Sequence, residues 1–151
     1  MSHTEPSRSP SQTVGAYLAA VEARDLDLAR EFLAQGFQMT FPGDAVFSTI
    51  EELVAWGKDR YRFVTKTYER FDEVESSDGV IVYCYGTLAG EYPDGTPFNE
   101  VRFIDRFVVA DGKLCDQKVW NDLGEHSRCK SRRQTGPGNR SNPLTPANKI
   151  R

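Results

Sequence analysis

The chain of 151 residues holds no apolar run long enough to cross a bilayer, and its opening residues, M-S-H-T-E-P-S-R-S-P, lack the apolar core of a secretion signal. A soluble cytoplasmic protein with no membrane contact is therefore expected. Cysteine is scarce: Cys84, Cys115 and Cys129 are odd in number and show no metal-ligand spacing, so they read as reduced thiols. Only two histidines occur, His3 and His126, both near the ends, which argues against a histidine metal site or triad. No metal and no cofactor are expected. Acidic residues are missing from Arg128 onward, where 7 of the 19 basic residues lie; the remainder carries 12 basic against 22 acidic residues, a net charge of −10. The basic end also lacks the aromatic residues that stack on bases, so nucleic-acid binding is not expected.

What remains is enough for one domain with a core: 38% of residues are hydrophobic and 11% aromatic. Residues 1–10 are polar and rich in Pro and Ser, and 128–151 have almost no aliphatic side chains; both segments are expected to be disordered. The domain is placed at 11–127. Val14, Tyr17, Leu18 and Val21 recur with helical spacing and predict a helix over Ser11–Arg24. A second helix is expected from Asp27 to Ala34, capped by Asp25 or Asp27 and stopped by Gly36. A strand over Phe37–Phe41 ends at Pro42-Gly43. Either Ser48 with Glu51 or Thr49 with Glu52 forms a capping box that opens a third helix, running to about Val64. Its inner stripe is Ile50, Leu53, Val54, Gly57, Tyr61 and Val64. Strands follow at Tyr68–Glu75, expected at a sheet edge, and at Val80–Glu91, with turns at Ser77-Asp78-Gly79 and Pro93-Asp94-Gly95. Helices gathered at the front and antiparallel strands behind them indicate an α+β fold.

The stretch from Asn99 to Asp122 reads as two strands joined by a turn at Asp111-Gly112. Alternation puts Val101, Phe103, Asp105, Phe107 and Val109 on one face and Arg102, Ile104, Arg106 and Val108 on the other. The arginines mark the wetter face, so Asp105 points between two phenylalanines into the apolar one. An unpaired carboxylate there costs several kcal/mol. Asp105 is therefore protonated, or partnered by Tyr17 or a backbone amide, or chemically active. In the last strand Gln117, Val119 and Asn121 share one face and Lys118, Trp120 and Asp122 the other; a bulge would exchange them, so either face is open to the interior.

Three motifs, T-V-G-A-Y-L-A-A-V-E-A-R-D-L-D, F-Q-M-T-F-P-G-D and R-F-I-D-R-F-V-V-A-D-G-K-L followed by V-W-N-D, resemble the SnoaL-like and ketosteroid-isomerase-like branch of the nuclear transport factor 2-like superfamily. The resemblance covers about 11–125. It implies a cone-shaped, curved antiparallel sheet wrapped around three N-terminal helices, with an apolar pocket inside. It also assigns roles. Tyr17 matches the helix-one tyrosine that donates to a substrate oxyanion, and Asp105, in I-D-R-F, matches the neutral aspartate beside it. Phe41, before Pro42, stands where the steroid isomerases carry their general base, and Asp44 lies three residues on. Asp122 matches by position the acid/base aspartate of the cyclases.

The expected catalytic residues are thus Tyr17, Asp105 and Asp122, and the expected ligand-binding residues are Phe41, Trp56, Tyr61, Phe103, Phe107, Trp120 and Asn121. The implied function is a small cofactor-independent acid–base enzyme, of isomerase, cyclase or dehydratase type, acting on an apolar carbonyl-bearing small molecule. The alternative is a non-catalytic ligand-binding or dimerisation module of the same fold. A homodimer is expected, formed through the outer sheet face that carries Arg102 and Arg106.

Overall fold

A computed structural model describes residues 8–127; the segments expected to be disordered lie largely outside the described residues. Helix α1 spans Pro10–Glu22. Ser9 and Gln12 cap it reciprocally, and Pro10 occupies a first-turn position where no N–H is needed. The helix stops before Arg24, which adopts a left-handed φ of 62°. Helix α2, Leu26–Glu31, is capped by Asp25 and is shorter than the periodicity suggests. Leu28 is exposed, whereas Phe32 is buried.

The chain enters strand β1 at Leu33 and leaves it at Phe41. Gly36 does not stop a helix. It lies inside β1 with φ 86°, where the pairing register shifts between Leu33 and Gln38. Gly43 and Asp44, both with positive φ, turn the chain into strand β2, Ala45–Phe47. Three residues carry no readable period, so β2 was not anticipated. Helix α3, Ile50–Gly57, opens with the Thr49/Glu52 capping box, the second of the two frames.

Helix α3 ends at Gly57, and strand β3 runs Phe63–Ser76 through residues assigned to the helix and the gap after it. The stretch F-V-T-K-T-Y is β-branched and aromatic, and pairing of Phe63 through Tyr68 with β4 outweighs a helical spacing that Tyr61 and Val64 only mimic. Strands β4 (Gly79–Glu91), β5 (Pro97–Ala110) and β6 (Lys113–Asn121) complete a six-stranded sheet in the order β2-β1-β6-β5-β4-β3. The four later strands form the expected antiparallel meander with β3 at its edge, while β1 runs parallel to β6. Asp111-Gly112 forms a tight turn with both φ positive, as the sequence indicates.

Bulges and glycines curve the sheet. Register shifts occur in β3 between Tyr68 and Arg70, in β4 between Leu88 and Gly90, and in β5 between Val108 and Val109. A Cβ on Gly86 would stand 1.9 Å from the Thr67 carbonyl oxygen, and one on Gly90 2.0 Å from that of Phe63. Only glycine permits β3 to press so closely on β4. On the inner face, α1 packs on β3, β4 and β6. Val14, Tyr17 and Leu18 are buried there, as are Phe37, Met39, Val82, Phe103, Phe107 and Leu114 from the sheet. Each such side chain contributes about 1.5–3 kcal/mol by leaving water. The segment after Asn121 forms a separate unit, with a helical turn in which the His126 N–H donates to the Asp122 carbonyl at 2.8 Å. No described helix is long and apolar enough to cross a membrane.

Candidate functional site

Strand β5 alternates as the sequence indicates, and its inner residues Val101, Phe103, Asp105, Phe107 and Val109 are all buried. Asp105 has 0% exposure. It stands opposite Cys84 on β4 and Val119 on β6, so no neighbouring strand offers it a polar side chain directly across the ladder. Its partner comes from one strand further. Lys66 Nζ lies 2.6 Å from Asp105 Oδ2, and its charge sits 4.7 Å from the Phe103 ring centroid. Of the alternatives left open by the sequence, the structure thus supplies a partner, and it is neither Tyr17 nor a backbone amide.

Lys66 was missed because the sequence reading placed it between a helix and a strand. In β3 it follows Val64 and precedes Tyr68 on the alternation that faces inward, and its side chain keeps only 19% exposure. The signal that could have found it is the period-two run Val64, Lys66, Tyr68.

Around the ion pair are groups with nothing to bond. Asp105 Oδ1, the Tyr17 hydroxyl and Gln117 Oε1 are buried and have no hydrogen-bond partner within the described protein. Leaving such a group unsatisfied costs about 1–3 kcal/mol. Tyr17, 1% exposed, is held by edge contacts to Phe37 and Phe107, at 6.2 and 6.1 Å between centroids. Burial, reinforced by the Asp105 charge, pushes its phenol well above the ordinary value, so it stays protonated and able to donate. Tyr68 packs edge-on against Phe103 and is pushed up chiefly by burial, with the charges of Cys84, Asp105 and Glu22 adding to it. Burial raises the Cys84 thiol to about 12, with Asp105 again contributing.

The register of β6 is now fixed. Val108 pairs with Asp116 and Val109 with Leu114, which leaves Cys115 as the extra residue. The bulge brings Gln117 and Val119 to the inner face, both buried. Asn121 shares their alternation and pairs with Phe103. Trp120 pairs with Ile104 on the opposite, outer face and is 51% exposed, so it does not join Asp105 and Tyr17. Asp122 belongs to the segment after the sheet.

Phe41 and Trp56 meet each other at 5.4 Å, together with Phe47, in a half-buried aromatic group capped by the Arg60 guanidinium over Trp56 at 4.4 Å. Tyr61 is half-buried, its phenol raised by burial, and the Gly57 position faces its hydroxyl. Asp44 is exposed in the β1–β2 turn. Among the described residues, no group of three or more His, Cys, Asp or Glu side chains is placed to hold a metal ion.

The model of the SnoaL-like domain matches residues 14–117 of this sequence, more than two thirds of the chain. The chain belongs to the SnoaL-like family. Solved structures share its fold at low identity. TerC, co-crystallised with polyporic acid, is 16% identical with a TM-score of 0.66, covering 78% of this SnoaL-like chain and 95% of its own. An NTF2-like protein of unknown function from Burkholderia pseudomallei is 19% identical with a TM-score of 0.65, covering 78% and 94%. A provisionally assigned SnoaL-like polyketide cyclase from Jannaschia sp. is 20% identical with a TM-score of 0.58, covering 88% and 100%. No curated protein matches the SnoaL-like chain in sequence.

Proposed function

We propose that this protein is a cofactor-independent acid–base catalyst that enolises an apolar carbonyl compound on the inner face of its sheet. The observation that carries the reading is the buried Asp105 carboxylate, with Oδ2 on an ammonium and Oδ1 unpartnered beside other unpartnered polar atoms. Oδ1 is the proton acceptor in this scheme. It takes the proton next to the substrate carbonyl, and the electrons of the broken C–H bond move onto the carbonyl oxygen. The Tyr17 hydroxyl and the Lys66 ammonium stabilise that oxygen as its charge grows. Donors of this kind contribute about 3–4 kcal/mol each to a transition state. Phe37, Phe103 and Phe107 supply apolar walls and exclude water. The enolate then isomerises, cyclises onto a second carbonyl, or expels a hydroxyl. This scheme replaces the neutral Asp105 implied by the steroid-isomerase resemblance with a charged one, and it needs no base at Phe41.

Two similar structures, from Jannaschia sp. and Streptomyces antibioticus, are provisionally assigned as polyketide cyclases, and TerC was co-crystallised with a small molecule. These support a small-molecule substrate. The test is exchange of the α-protons of β-tetralone in heavy water, followed by NMR. The protein should accelerate exchange over buffer, and Asp105→Asn should remove about 100-fold to 10,000-fold of that rate. Exchange no faster than in buffer would leave the non-catalytic binding module, for which the Lys66–Asp105 pair is a structural clasp. A second copy is proposed to dock on the outer face, where Tyr85, Ile104 and Trp120 lie in one row; Trp120→Lys should then shift the light-scattering mass from dimer to monomer.

A further inference from the structure

Lys66 differs from the other described lysines in what surrounds its nitrogen. Lys58 is exposed, Lys113 Nζ donates to the Glu31 carbonyl and Lys118 Nζ to Asp116, all at the surface or part-exposed. Lys66 Nζ instead meets a wholly buried carboxylate at 2.6 Å and an aromatic face at 4.7 Å. Its side chain is still 19% exposed, so it links solvent to the closed interior. The Tyr17 hydroxyl and Asp105 Oδ1, one able to donate and the other to accept, are unpartnered in that interior.

We infer that Lys66 is a carbonyl-capturing amine, whose Nζ condenses with an apolar aldehyde or ketone to form a protonated Schiff base. The inference rests on the acid–base reading for its substrate class and for the role of Asp105. In the step, the ammonium passes a proton to Asp105, and the free amine attacks the carbonyl carbon. A C–N bond forms while the carbonyl pair moves to oxygen, which takes a second proton from the nitrogen. Asp105 returns its proton to the resulting hydroxyl, which leaves as water as the nitrogen lone pair closes the C=N bond. The sum is ammonium plus carbonyl compound giving iminium plus water, with no oxidant or reductant.

Charge favours this site over a surface amine. The iminium carries the same single positive charge as the ammonium it replaces, so the Asp105 carboxylate faces a cation both before and after the condensation, and it is protonated while the amine is neutral. The carboxylate is then placed to take the α-proton of the bound substrate and leave a neutral enamine. The Tyr17 hydroxyl donates to the oxygen that becomes water.

Trapping tests the inference on the full chain. Benzaldehyde with sodium cyanoborohydride at neutral pH should add one benzyl group to the peptide containing Lys66. That adduct should form at least about tenfold faster than those at Lys58, Lys113 and Lys118. Lys66→Arg, which keeps a cation for Asp105, should lose the adduct, and saturating β-tetralone should protect Lys66 in the unaltered protein. Equal labelling of all lysines, or no protection by the ketone, overturns the inference without recourse to any variant. The two readings fail separately. Accelerated α-proton exchange by a protein that gives no Lys66 adduct removes the Schiff base and keeps the acid–base catalyst; a Lys66 adduct without accelerated exchange does the reverse.

Discussion

Strands β5 and β3 are the same length, fourteen residues, and contribute the two halves of one ion pair, yet they are opposite kinds of strand. β5 lies inside the sheet with neighbours on both sides, and its inner face is apolar except for Asp105. β3 lies at the edge, and its outer face mixes polar and charged side chains with the half-exposed Phe63 and Val74. The central strand buries its acid among apolar groups, which disfavour the charge and make a countercharge necessary. The edge strand supplies the countercharge through the long side chain of Lys66, whose nitrogen meets the buried carboxylate. The candidate site is assembled across β4 and depends on the glycines that let β3 close on that strand.

The sharpest way to break this arrangement is to remove the countercharge alone. Lys66→Met should destabilise the fold by about 3–5 kcal/mol, because Asp105 is left buried and uncompensated. Adding Asp105→Leu should recover most of that loss, so urea unfolding of the single and double variants separates the pair from its packing. A structural effect of smaller size is expected from Gly86→Ala, on the order of 2–3 kcal/mol, since the added carbon would meet the Thr67 carbonyl. The accompanying sign would be faster amide exchange in β3 than in β5. If both strands lose protection together, β3 is not an independently detachable edge.

Alkali should loosen the interior between the two strands more gently. The Cys84 thiol is raised from its ordinary 9.0 to about 12, so its contribution to stability is complete below pH 9.0 and is lost as the pH climbs toward 12. Tyr17 and Tyr68 are raised as well and act in the same direction at higher pH. At pH 10 the Cys84 contribution should fall by about 1 kcal/mol, a decline that Cys84→Ala removes. Thiol reagents at pH 8 should modify Cys115 well before Cys84. The smallest change belongs to the outside of the edge strand: Val74→Thr should alter the unfolding free energy by no more than about 0.5 kcal/mol. A larger effect would mean that β3 is covered there.

The same contrast explains how far the sequence could be read. β5 announced itself because its alternation is strict and its turn at Asp111-Gly112 is chemically unambiguous. The first helix was equally plain, since Val14, Tyr17 and Leu18 can share a buried stripe in only one way. α3 and β3 were misjudged at their junction, where Tyr61 and Val64 fit a helical spacing as well as a strand. The face of β6 was undecided because the inserted Cys115 shifts the phase, and nothing local marks a bulge. Lys66 was overlooked for the same reason as the start of β3: a lysine among threonines looks solvated until a partner is known.

Local chemistry alone therefore established the α+β order, the family resemblance and an acid facing an apolar interior, because caps, turns and period-two alternation act over a few residues. Tertiary structure decided which cation answers that acid, which side of β6 turns inward and that Trp120 turns out. Those outcomes depend on strand register and on contacts between residues far apart in the chain, where the energy of pairing across a sheet is settled only when all its strands are in place.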